Sequence, residues 1–120
     1  MNWLKKLSGA SSSERVEEHA VIANFKLPGD QFPTDEEMQF IHSLTHELEK
    51  QISKANAGEY DGDEFGGGEC LLYMYGKDAD RLFEAASPIL KQIASRFPGS
   101  AIKRYGAAGN PDAREELIVI

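Results

Sequence analysis

The chain has 120 residues, of which 20 are acidic and 13 basic, giving a formal charge of -7, and 41% are hydrophobic. This length supports one domain around one core, and the acidic balance argues against nucleic acid or an anionic membrane as the main partner, since both require clustered lysine and arginine. The lone Cys70 leaves no intrachain disulfide framework and suits a reducing cytoplasm, and no apolar run approaches the ~20 residues that span a bilayer.

Residues 1–15 are expected to form a flexible N-terminal segment. In it Trp3, Leu4 and Leu7 share one side of a helical turn, and the small polar run Gly9 to Ser13 acts as a linker to a single domain over 16–120. From His19 to Leu27 the chain alternates, with Val21, Ala23, Phe25 and Leu27 on one face, which predicts a strand buried on that face. Pro28-Gly29 ends it. Thr34, with Glu37 three residues on, predicts a capping box, and Asp35 and Glu36 fall where the helix dipole favours acids. The helix should run to about Ala55, burying Met38, Ile41, Leu44, Leu48, Ile52 and Ala55.

The segment Glu59 to Glu69 follows, with five carboxylates, four glycines and no basic residue. A short strand is expected near Glu59 to Gly62, then an acidic, glycine-rich loop whose Gly66-Gly67-Gly68 makes a tight hairpin with positive φ. The apolar strand Cys70 to Tyr75 comes next, and Asp78 is a second N-cap. Leu82, Phe83, Ala86, Leu90, Ile93 and Phe97 keep helical spacing across Pro88, which predicts one helix kinked by the proline rather than two. Strands over Ser100 to Tyr105 and Glu116 to Ile120 complete the chain.

The order β-α-β-β-α-β-β predicts an α+β, ferredoxin-like β-α-β-β-α-β two-layer sandwich with an extra C-terminal strand beside the fourth. Both helices would cover one face of the sheet. Apolar residues on both faces of the 70–75 strand call for a covering partner on the other face, a place for a homodimer contact.

Several familiar chemistries fail on inspection. Read as a calcium loop from Asp61, Asp63 and Gly66 fit, but Phe65 takes a ligand position and Leu72 stands where the closing glutamate belongs. A looser divalent-cation site from Asp61, Asp63, Glu64 and Glu69 stays open as an alternative. Phosphate loops open a helix and carry a basic residue, whereas this glycine run leads into a strand between acids. His42 and His46 lie four apart, but Ser43 replaces the glutamate of the zinc-protease pattern, and an exposed pair without a role is expected. Cys70 has no cationic neighbour and is expected as a small buried residue. Sheets of this topology that bind RNA stack bases on aromatics of the third strand, where Cys70 and Leu72 stand here. The pair Lys103-Arg104 is expected on a solvated edge, with pairing to Asp or Glu elsewhere or anion binding as the alternatives.

The runs Glu59-Tyr60-Asp61-Gly62, Gly66-Gly67-Gly68-Glu69, Tyr75 to Asp80 and Lys103-Arg104-Tyr105-Gly106 together resemble a family of small bacterial proteins of uncharacterised function. The resemblance implies a bacterial cytosolic protein and attaches no activity and no cofactor. The functional expectation is therefore a small cytosolic, non-catalytic interaction or regulatory module. It would hold a basic protein partner through Tyr60, Asp61, Asp63, Glu64 and Glu69, with no catalytic residue, metal ligand or cofactor assigned. The alternative is a small ligand-binding protein or enzyme on the open face of the sheet, with Asp61 or Glu64 as base or cation ligand and Tyr73 or Tyr105 orienting the substrate.

Overall fold

A computed structural model of the chain describes residues 18–107 and 109–120. The expectations for the segment 1–15, its linker and its Trp3, Leu4 and Leu7 stripe lie outside the described residues. Seven elements follow in order: β1 (His19–Lys26), α1 (Asp35–Lys54), β2 (Glu59–Gly66), β3 (Glu69–Gly76), α2 (Ala79–Ala94), β4 (Gly99–Tyr105) and β5 (Arg114–Val119). The strands form one antiparallel sheet in the order β2-β3-β1-β4-β5. This is an α+β arrangement of the ferredoxin-like kind, with β5 added beside β4. The two most apolar strands, β1 and β3, lie side by side within the sheet, which is why each can be apolar on both faces.

Local chemistry explains the boundaries. Thr34 Oγ1 accepts from the Glu37 N–H at 3.2 Å and Glu37 Oε1 accepts from the Thr34 N–H at 2.9 Å, so the predicted capping box closes. Asp78 caps α2 by accepting from Asp80 N–H at 2.9 Å. Continuous helix runs through Pro88, as the apolar spacing requires. The core lies between sheet and helices: Val21, Ala23, Phe25, Cys70, Leu72, Met74 and Ala101 from the strands meet Ile41, Leu48, Ile52, Leu82, Ala86, Leu90 and Ile93. Two expectations for α1 change. Ala55 is exposed because it caps the helix, and Thr45 is buried in the stripe, its hydroxyl donating to the His42 carbonyl at 3.1 Å.

The opposite face of the sheet carries a second cluster of Ala20, Ile22, Leu71, Tyr73 and Tyr75, each between 0% and 4% exposed. Those residues are therefore already buried within a single chain. No helix among the described residues is long and apolar enough to cross a membrane.

Candidate functional site

The acidic segment opens with the expected strand and closes in the expected glycine hairpin, but the strand is longer than the stretch near Glu59 to Gly62. It is strand throughout, Glu59 to Gly66, and the loop shrinks to a two-residue turn with Gly67 at φ 59° and Gly68 at φ 76°. Both values lie in the left-handed region that a two-residue hairpin of this hand requires. Among the described residues the strand pairs with β3 alone and so forms one edge of the sheet.

A bulge decides which way its side chains point. The register slips between Tyr60 and Gly62, leaving Asp61 as the extra residue. Strict alternation would send Tyr60 and Phe65 to opposite faces. The slipped register instead sets Tyr60 opposite Met74, Asp63 opposite Leu72 and Phe65 opposite Cys70, all on the helix-covered face. Two aromatic rings thereby reach the core, with Asp63 drawn in between them. Glu64 opposite Leu71, Glu69 and Glu59 belong to the other face.

The five predicted contact residues are thus divided. Tyr60 packs against the core, and burial foremost, with the Asp63 charge second, pushes its hydroxyl well above the usual tyrosine range. Its hydroxyl oxygen is buried without a hydrogen-bond partner. Asp63 lies 3.4 Å from Nε2 of His42, whose ring meets Phe65 edge-on at 5.9 Å. His42 therefore bridges α1 to β2, a role the sequence reading withheld from it. Glu64 accepts from the Tyr73 hydroxyl at 2.8 Å, and Glu69 receives a longer bond from Asn24 Nδ2 at 3.4 Å. Asp61 stands exposed at the bulge, next to exposed Glu59.

This division bears on the chemistry available. Asp63 and Glu64 point to opposite sides of the sheet, so the looser cation site does not assemble from them. Among the described residues no three His, Cys, Asp or Glu side chains come together as a metal-holding group. Cys70 is fully buried, and burial first and the Asp63 charge second push its thiol up to about 12, which keeps it protonated.

Two polar clusters at the other edge follow the alternative expected for Lys103 and Arg104, pairing with Asp or Glu elsewhere, rather than a solvated edge. Arg104, expected in solvent, is only 3% exposed. Its guanidinium donates to Glu115 at 2.9 Å, to the Ala107 carbonyl at 3.3 Å and to the Asn110 carbonyl. On the helix-covered face, Tyr105 Oη donates to Asp80 at 2.5 Å and Lys103 Nζ lies 2.9 Å from the same carboxylate oxygen. Lys103 is also 3.7 Å from Glu116, and Arg114 stacks 4.0 Å from the Tyr105 ring centre. His19 Nδ1 accepts from the Ala79 N–H at 3.1 Å, holding the start of α2 against β1. The signal for these links was weak, because they join β4 to β5 across an eight-residue connection and join both β4 and β1 to the start of α2, a register that the sequence does not display.

Beside this network is an open groove of about 640 Å³ lined by Asp80, Phe83, Glu84, Ser87, Pro88, Lys91 and Lys103. A second recess, of about 300 Å³, is found where Gly58 and Gly76 cross below Asp78 and Arg81. Arg81 donates to the Ala55 carbonyl there at 3.3 Å. Comparison with family models, with curated proteins and with solved structures finds no match for the chain.

Proposed function

We propose that this chain is a small, non-catalytic interaction module that takes a basic protein partner along the β2 edge. The observation that carries the reading is the concentration of Glu59, Asp61, Asp63, Glu64 and Glu69, with no basic residue among them, on and beside the outermost strand. An edge strand also offers backbone donors and acceptors to an incoming chain. The carboxylates attract a basic partner over a Debye length of ~8 Å and raise its association rate.

In this reading Asp61, Glu64 and Glu69 meet the partner, Asp63 contributes through its partly exposed carboxylate, and Tyr60 supports the strand from below. The compartment is the bacterial cytoplasm, where Cys70 stays a thiol. Binding of a lysine- and arginine-rich peptide, followed by fluorescence anisotropy at low and high salt, tests the proposal. The combined variant Asp61→Asn, Asp63→Asn, Glu64→Gln should weaken binding roughly tenfold, at about 0.5 kcal/mol for each exposed charge, and flatten its salt dependence. Unchanged affinity and unchanged salt slope in that variant would rule the acidic edge out.

A further inference from the structure

The other edge of the sheet is built for a different contact. Strand β5 pairs with β4 alone among the described residues, and its outer half reads Leu117-Ile118-Val119-Ile120. The Ile120 N–H donates to the Gly99 carbonyl at 3.0 Å. Alternation along an antiparallel ladder therefore turns the backbone groups of Ile118 and Glu116 toward β4 and those of Glu115, Leu117 and Val119 toward the outer edge. The same residues share the sheet face opposite the helices, as their partners Arg104, Ile102 and Ser100 show. Leu117 is 68% exposed and Val119 83% exposed. A strand edge with open backbone groups and large apolar side chains beside them is a template for another strand.

We infer that the occupant is a second copy of β5, paired antiparallel about a two-fold axis at Ile118, so that two five-stranded sheets become one. Self-complementarity argues for the copy, and charge selects the register. With the axis at Ile118, Leu117 of each chain faces Val119 of the other, and all four exposed side chains are covered together. Glu116 faces Ile120. An axis at Glu116 would set two glutamates directly opposite, which is repulsive. An axis at Leu117 would set both Glu115 and Glu116 against apolar residues, Val119 and Ile118, where the axis at Ile118 sets Glu116 against Ile120.

Long-range charge also permits the contact. The acidic strand β2 is four strands from β5, about 19 Å at the usual ~4.8 Å spacing, so joining at β5 places the two acidic edges at the far ends of the joint sheet. At a Debye length of ~8 Å their repulsion is screened. The centre of the face opposite the helices offers less to a second copy, since Ile22, Tyr73 and Tyr75 are already buried. A six-residue edge makes an interface at the small end of stable contacts, so a dissociation constant on the order of micromolar is expected.

Sedimentation equilibrium over a concentration series tests the inference on the full chain. The unmodified protein should dimerise reversibly. Leu117→Lys should be monomeric with unchanged circular dichroism, because position 117 is exposed, and its thermal midpoint should match that of the unmodified protein at dilutions where the dimer has dissociated. Leu117→Pro removes only an outward N–H, leaves the β4 bonds in place, and should give the same result if the lysine variant folds poorly. Mild oxidation of Ile118→Cys should trap a covalent dimer, since residue 118 meets its own copy across the axis in a non-hydrogen-bonded pair. A monomeric unmodified protein, or a dimer that persists in both Leu117 variants, overturns the inference. So does a monomer that takes up a foreign strand at Leu117, because the occupant would then not be a second copy.

Discussion

The two edges of this sheet meet the same physical problem in opposite ways. An edge strand leaves a row of backbone donors and acceptors unpaired and invites mispairing. Strand β2 is defended by five carboxylates on or beside it, a bulge at Asp61 and a glycine turn. Strand β5 concentrates its charges in Arg114, Glu115 and Glu116 at one end and leaves Leu117 and Val119 exposed at the other. The difference teaches that charge on β2 discourages indiscriminate strand addition while attracting cations, whereas the open half of β5 invites an apolar strand of matching pattern. The edges are also anchored differently. Strand β2 is held by close backbone approach and two aromatic rings, β5 by buried and partly buried ion pairs.

The largest expected effect comes from the anchor of β2. Gly58 has φ 147°, and a Cβ there would lie 2.0 Å from the Tyr75 carbonyl oxygen. Nothing at that distance can be relieved by side-chain rotation, because the obstacle is backbone of an interior strand. Gly58→Ala should therefore cost upwards of about 3 kcal/mol, and chemical denaturation should show it as a large fall in midpoint. A midpoint close to that of the unmodified protein would mean that β2 detaches from β3 at little cost, and the comparison of two structured edges would fail.

Next comes the anchor of β5. Replacing Arg104 by Met keeps the volume of the side chain but leaves Glu115 without its cation and two carbonyls without their donor. A loss of about 2–3 kcal/mol is expected, somewhat below the usual figure for a fully buried pair because Glu115 is partly exposed. Adding Glu115→Gln should recover part of it, which the double-mutant cycle would measure as coupling between the two positions. Additive effects would show that the ion pair does not hold β5.

On the β2 side the corresponding link is weaker. Tyr73→Phe removes a hydroxyl that donates to Glu64 at 2.8 Å, and Glu64 is partly exposed and can turn to water. About 1 kcal/mol is expected, read as a fall of several degrees in thermal midpoint.

How far the chain could be read before its structure follows from the range of each interaction. The helix starts at Thr34 and Asp78 were legible because a cap and its acceptor lie within three residues. The strand order was legible because β1 and β3 are the two most apolar strands, as the inner pair of this topology must be. The acidic strand was read as loop because Tyr60 and Phe65, five apart, fall on opposite faces under strict alternation. Only the bulge at Asp61 reconciles them, and Gly62 beside it, with φ 141°, was the available hint. The roles of His42, Asp80 and Arg104 depend on which residues stand opposite across separate elements, a relation that no local pattern carries.

The smallest effect sharpens the β5 side alone. The Tyr105 hydroxyl first and Lys103 second hold the Asp80 carboxyl below its ordinary value of 3.8. The same carboxylate holds Lys103 above its ordinary 10.5 and Tyr105 above its ordinary 10.0. The signs then fix the window. A lowered acid contributes stability above its unfolded value, and that contribution is lost as pH falls through the lower folded value. A raised lysine or tyrosine contributes below its unfolded value and is lost as pH rises through the higher folded one. The network should therefore stabilise the packing of α2 on β4, and through Lys103 and Glu116 the start of β5, across a plateau from about pH 4 to about pH 10. Asp80→Asn should lower that plateau slightly and flatten both of its shoulders, because one carboxylate holds both partners. Solvent screens these exposed groups, so the thermal midpoint as a function of pH, at low salt, is the measurement that resolves the change. A profile whose alkaline shoulder is unchanged in Asp80→Asn would separate Lys103 and Tyr105 from Asp80 and leave α2 without this tie to the β5 side of the sheet.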